Sequence, residues 1–206
     1  ANTLSVDGDK IRAKKIIVAA GSRPIIPKNW SEYSDALVDT NSFFELEKLP
    51  QSVAVVGLGV IGIELGQALS RLGVKVVGIT VGQSIGGTTA PELQAYISQT
   101  FSKEFPMHFS GADIVGWNDK RDKVIVSSDG KTYEVEKVLV SMGRRSNFDR
   151  LGFEVLGGAV GNNGLPEFNE HTMALKEFDH IYIAGDVNSD RPVLHEAADE
   201  ALIAGY

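Results

Sequence analysis

Four short apolar runs punctuate the chain, and each finishes in glycine: residues 16–20 before Gly21, 53–56 before Gly57, 138–142 before Gly143 and 181–184 before Gly185. Apolar runs of this length suit parallel strands covered on both faces, and a terminal glycine lets backbone or ligand come close. Open α/β sheets bind their ligands along that edge. Between residues 60 and 72, Ile61, Leu65, Ala68, Leu69 and Leu72 fall at helical spacing, with Gly73 placed as the C-terminal cap. A strand over residues 75–81 then completes a βαβ unit spanning 52–81. Pro91 suits the first turn of a second helix, expected to run to about Phe105. From 113 to 136 the pattern changes. Asp129-Gly130 lies between the β-rich stretches 123–127 and 132–135, a hairpin signal that predicts an antiparallel meander before the next parallel strand. The expected fold is α/β: a Rossmann-like parallel sheet with an inserted antiparallel β-meander.

Composition narrows the function classes. The 206 residues can hold one or two domains, and no apolar run approaches the roughly 20 residues of a membrane span. The expectation is a soluble, cytoplasmic protein with no membrane partner. A net charge of -7 without a basic stretch offers a phosphate backbone no footprint, so nucleic acid is not expected as a partner. The chain has no cysteine, hence no disulfide and no thiolate metal site, and His108, His171 and His180 show no ligand spacing; no metal is expected.

The chemistry concentrates in Gly57-Leu58-Gly59-Val60-Ile61-Gly62, which fits GxGxxG, follows an apolar run and opens an amphipathic helix. In that context Gly57 allows the tight turn, Gly59 lets a pyrophosphate lie against backbone N–H groups, and Gly62 lets the helix pack close to the sheet. The amides around Val60 and Ile61 belong to the helix N-terminus, which supplies unpaired donors and a partial positive charge. A glycine-rich turn with no ligand is the alternative. The motif calls for an acidic residue about 20 positions on to take the ribose 2′-hydroxyl; Thr80 stands there. Between Val74 and Pro91 there is no Asp or Glu, and no Arg or Lys other than Lys75 at the strand's start. NAD and NADP both stay open, with Thr80 or Gln83 as the polar groups at hand.

With these motifs the chain resembles the pyridine nucleotide-disulfide oxidoreductases. Residues 16–24, IIVAAGSRP, are similar to the family's ATGSRP segment, with Ala20 where threonine is usual. GLGVIGIELG at 57–66 resembles its NAD(P)H fingerprint, MGRRSN at 142–147 its GRxPN turn with Ser146 in place of proline, and IYIAGDV at 181–187 its flavin-binding segment. Within the family the texture is nearest to dihydrolipoamide dehydrogenase.

The resemblance implies an NAD(P)H-binding domain at 49–145, flanked by partial FAD-domain segments at 1–48 and 146–206. It implies that Glu64 helps hold the nicotinamide carboxamide and that the Gly143 turn passes beside the nicotinamide. Gly21 falls in a flavin-contacting segment, Asp186 matches the aspartate on the FAD ribityl chain, and Leu194 and His195 match the start of a helix facing the flavin ring. The resemblance also implies pieces outside this sequence: a Cys-x4-Cys pair, a first flavin fingerprint, and a dimerisation domain carrying a His-Glu pair. The chain starts at Ala1 and stops at Gly205-Tyr206 inside a helical stretch, so a fragment of a homodimeric enzyme is expected. Such a fragment is expected to bind NAD or NADP, to hold no FAD by itself and to contain no catalytic residue. The alternatives are an NADH oxidase, ferredoxin reductase or transhydrogenase-type flavoprotein, and a non-catalytic dinucleotide-binding module.

Overall fold

The computed structural model describes residues 2–82 and 85–206, so Gln83 lies outside the described residues. In chain order the strands are β1 Thr3–Val6, β2 Asp9–Arg12, β3 Ile16–Val18, β4 Ser22–Pro24, β5 Leu37–Val38, β6 Ser52–Val56, β7 Lys75–Ile79, β8 Met107–His108, β9 Asp113–Trp117, β10 Val124–Ser128, β11 Lys131–Val135, β12 Lys137–Val140, β13 Arg144–Ser146 and β14 Ile181–Ile183. The α-helices are α1 Val60–Arg71, α2 Pro91–Phe101 and α3 Leu194–Gly205. Among the described residues no helix is long and apolar enough to cross a membrane. Two compact units emerge, Pro24–Gly143 and a discontinuous one made of Ala1–Arg23 with Arg144–Tyr206.

The Pro24–Gly143 unit is built on a five-stranded parallel sheet of order β5-β12-β6-β7-β8. All five residues of β6 are buried because both faces are covered, which is why the run shows no polar alternation. Ala54, Val56, Val77, Ile79, Val138 and Val140 pack on one face with Ile114, Val124, Val126 and Val135 of the β9–β11 meander. On the other face Val53, Val55, Val76 and Leu139 meet Leu58, Ile63, Leu69 and Phe105. The meander turns at Asp129 (φ 51°) and Gly130 (φ 69°), the paired positive angles of a type I′ hairpin.

The unit also takes in residues 24–48, which the resemblance assigns to a flanking segment. A 3-10 stretch, Lys28–Ala36, sends Trp30, Tyr33 and Ala36 into the meander-side core, and the Trp30 indole donates to Asp113 Oδ1 at 3.1 Å. β5 then joins the sheet beside β12. Burying two aromatic rings here brings more apolar area out of water than the segment could cover alone.

The helix α1 turns a different face inward from the one its apolar spacing predicts. Ile61, Ala68 and Leu72 are exposed, and the buried stripe is Gly62, Ile63, Gly66 and Leu69. The period holds and the phase moves by one residue, because glycines let the backbone itself rest on the sheet. The helix closes as expected at Gly73 (φ 87°) in a Schellman arrangement, Val74 N–H to Leu69 O at 3.1 Å and Gly73 N–H to Ser70 O at 3.0 Å. α2 starts at Pro91 but stops at Phe101, four residues early, since Phe105 turns its ring onto Gly66 and Gly78. A Cβ at either glycine would stand 3.1 or 2.8 Å from that ring.

In the discontinuous unit β3 pairs in parallel with β14, β4 lies beside β13, and β1 pairs antiparallel with β2 in an exposed hairpin. Its turn, Asp7-Gly8, has φ of 50° and 92° and carries the same type I′ signal as Asp129-Gly130. The apolar run at residue 16 predicts a strand buried on both faces, yet Ile17 is 48% exposed; only one side of this pair is covered within the unit. The core is aromatic and aliphatic: Phe148, Phe153, Leu165, Leu175, Ile181, Ile183 and Val187.

Candidate functional site

Only three residues separate the end of β6 from α1, and backbone geometry sets what each can be. Gly57 has φ +95°, and a Cβ there would run into the Ser141 carbonyl. At Gly62 a Cβ would run into the Gly57 carbonyl and stand 2.8 Å from Ser141 Oγ. Gly59 is different. It is exposed, its φ of -66° and ψ of -169° are open to any residue, and a Cβ would meet nothing within 4 Å.

The polar groups of this loop are sorted by direction. The Gly57 N–H donates to Ile79 O at 2.8 Å. The carbonyls all find internal donors: Gly57 O takes the Ser141 hydroxyl at 2.7 Å, Leu58 O the Gly86 N–H at 2.8 Å, and Gly59 O the Ile63 N–H at 3.0 Å. The first-turn amides at Val60 and Ile61 have no intrahelical acceptor, and no side chain caps Gly59. What remains outward is a cluster of N–H donors at the positive end of a helix, suited to an anion.

β12, β6 and β7 are neighbours in the parallel sheet, so the segments after them share its carboxyl edge. These hold three of the expected site positions: the Gly57–Gly62 loop, Thr80 and Gly143. Thr80 is tied through its backbone, its N–H to His108 O at 2.8 Å and its O to the Gly111 N–H at 2.9 Å, and the residue is half-buried. Gly143, with φ +99°, accepts from the Ile25 N–H at 3.0 Å. Glu64, one turn into α1, is exposed and has no hydrogen-bond or ion-pair partner among the described residues. Val60 and Ile61 expose their side chains. His108 plays a structural part: its Nε2 pairs with the Tyr133 hydroxyl, and burial, with Lys131 nearby, holds its pKa below the ordinary histidine value.

In the discontinuous unit Asp186 sits where a turn begins at Gly185, and its Oδ2 accepts from Ser22 Oγ at 2.9 Å. Arg144 donates to that same Ser22, through Nε to Oγ at 2.7 Å and Nη2 to the carbonyl at 2.8 Å. Gly21, φ +68°, precedes this serine. Leu194 and His195 open α3 as expected and are exposed, Leu194 by 88%.

Two residues of this unit escaped the sequence. Glu200 is only 7% exposed, and its Oε2 accepts from the Gly185 N–H at 2.6 Å and Asn188 Nδ2 at 2.8 Å, gripping the turn that carries Asp186. Asp149 receives both Arg23 guanidinium nitrogens, at 2.8 and 2.7 Å, and these bonds hold its carboxyl below the usual carboxylate range. No motif flags either one. A glutamate in the second turn of a helix, next to Asp199, reads as solvated.

Known proteins resemble this chain in sequence and in architecture. The profile of the pyridine nucleotide-disulphide oxidoreductases matches residues 1–201. The chain belongs to this family. Within the pyridine nucleotide-disulphide oxidoreductases, a dihydrolipoyl dehydrogenase of Geobacillus stearothermophilus is 32% identical over 212 residues, covering 99% of this chain and 44% of the relative. The chain thus spans less than half the length of that curated relative. The HOCl-induced flavoprotein disulfide reductase RclA from Escherichia coli shares the fold with a TM-score of 0.83 at 20% identity, over 97% of this chain and 46% of that one. A water-forming NADH oxidase from Lactobacillus brevis gives 0.81 at 21% identity, over 99% and 51%. The family's full-length enzymes are oxidoreductases that bind FAD and NAD(P).

Proposed function

We propose that this chain is the NAD(P)H-binding part, with adjoining flavin-binding segments, of an FAD-dependent oxidoreductase of the dihydrolipoamide dehydrogenase kind. The observation that carries the reading is Gly59. Neither packing nor backbone angle requires glycine there, and the open space beside it fits a ligand approaching the loop's N–H groups. The first-turn amides of α1 take the pyrophosphate, and Thr80 lies at the ribose end. Glu64 holds the nicotinamide carboxamide, and the Gly143 backbone lies beside the ring. Hydride chemistry is supplied by the bound nucleotide and flavin; the chain's own groups bind and orient. Gly21, Asp186, Leu194 and His195 form this chain's share of the flavin site, Asp186 accepting from a sugar-like hydroxyl. Alone, the chain binds NAD or NADP, holds no FAD and is catalytically incomplete.

Titration of the chain with NADH and NADPH, followed by calorimetry, tests the reading. Gly59→Ala keeps the melting temperature of the parent, because its Cβ meets nothing, and weakens binding by about tenfold or more. A parent chain that binds neither nucleotide, or a Gly59→Ala variant that binds as well as the parent, overturns it.

A further inference from the structure

We propose that Ser141 is a positioning residue for the phosphate face of the glycine loop, its hydroxyl holding the Gly57 carbonyl inward so that only N–H groups face an anion. This rests on the nucleotide-binding reading given above.

Ser141 follows β12 directly, and its N–H continues the ladder to Val56 O at 2.8 Å. Its Oγ reaches two carbonyls, Gly57 O at 2.7 Å and Val56 O at 3.2 Å. One hydroxyl proton serves the shorter contact, since Val56 O already has the Ser141 amide. The other two loop carbonyls are turned by main-chain donors, the Gly86 and Ile63 amides. Gly57 O is the one whose orientation depends on a side chain.

That carbonyl is also the oxygen over which the third glycine closes. A Cβ at Gly62 would collide with it and crowd the serine hydroxyl, so Gly62 makes room for the Ser141–Gly57 bond as well as for the helix. Without the hydroxyl, a peptide plane at a glycine is free to turn and bring its oxygen toward the ligand side. A carbonyl dipole facing a pyrophosphate opposes it, whereas preset N–H donors cost no reorganisation. The residue leads straight into Met142 and Gly143, so one side chain ties the phosphate turn to the segment beside the nicotinamide.

The test compares Ser141→Ala, Ser141→Thr and the near-isosteric but weakly donating Ser141→Cys with the parent and with Gly59→Ala. NADH and ADP-ribose are titrated at a temperature where all are folded. Because the two ligands share the pyrophosphate, Ser141→Ala and Ser141→Cys raise both Kd values together by about fivefold, while Ser141→Thr stays within about twofold of the parent. A role confined to stability lowers the melting temperature and leaves both Kd values unmoved. That result overturns the proposal. If the alanine variant does not fold, the cysteine variant decides alone. A parent that binds and a Gly59→Ala variant that does not, beside alanine and cysteine variants that bind normally, sinks Ser141 and spares the site. A parent that binds neither ligand sinks both.

Discussion

Two passages of this chain begin alike and are built differently. Each leaves a parallel strand, meets glycine within two residues and arrives at a helix. From Val56 to Val60 the path takes three residues, and nearly every constraint is main-chain: glycines with no room for a Cβ, and carbonyls capped by amides, the Ser141 hydroxyl being the exception. From Ile183 to Leu194 it takes ten residues, and side chains do the holding: Glu200 on Gly185 and Asn188, Ser146 Oγ on Val187 O at 2.5 Å, Ser22 on Asp186. A backbone-built loop leaves N–H groups free and suits an anion. A loop built from side chains can aim a carboxylate such as Asp186 at hydroxyls. The same strand-then-glycine pattern therefore announces a ligand edge without saying which chemistry the edge performs.

The contrast can be broken from either side. The largest effect belongs to Gly62→Val, which forces two backbone segments apart. It costs about 3 kcal/mol or more, and the melting temperature of the Pro24–Gly143 unit falls by roughly 12 °C or more. A variant melting like the parent shows that the loop is softer than its geometry states. Next comes Glu200→Ala, which strips a buried acceptor from two donors at a cost of about 2–3 kcal/mol; calorimetry reads the loss as a lower melting temperature. Glu200→Gln keeps an oxygen for the Gly185 amide and recovers most of it. Equal losses in both variants would mean that the charge, rather than the acceptor, secures the turn.

The smallest effect is electrostatic. Arg23 depresses the Asp149 carboxyl, so the pair's stabilisation is present above the ordinary carboxylate value and is lost as pH falls through the lowered folded value. Asp149→Asn removes that dependence, and its melting temperature falls less steeply than the parent's between about pH 5 and about pH 2. Parallel slopes would remove Asp149 from the set of groups that set the acid limit. Asp149 is partly solvated, which keeps the difference small.

What sequence could reveal followed from what backbone alone dictates. Gly57, Gly73 and the Asp129-Gly130 turn need positive φ, Gly62 leaves no room for a Cβ and Pro91 suits a first helical turn, and each landed where its chemistry placed it. The helix α1 was legible in period and not in phase, because apolar counting gives no weight to the glycines that form its buried stripe. Trp30 and Tyr33 were hidden for another reason: they enter the core from a 3-10 stretch that has neither helical nor alternating spacing. Ser141 and Glu200 act through partners 84, 15 and 12 residues away, contacts that no local pattern encodes. Asp7-Gly8 was there to be read, since Thr3–Val6 before it alternates polar and apolar, yet both flanking strands are exposed and four residues long, so the apolar runs that mark the core pass them by.

The hydrogen bond from Ile25 to Gly143 has a consequence for how the chain assembles. Ile16 must find Ile181, 165 positions further along the chain, for β3 to pair with β14. Once the Pro24–Gly143 unit has formed, its entry and exit lie one hydrogen bond apart. The segment still to be closed, 16–25 and 143–181, is more than threefold shorter, which lowers the entropic cost of closure by roughly 1 kcal/mol. The inserted unit works as a clasp for the chain that surrounds it, and a lesion that unfolds it also lengthens the search its neighbour must make.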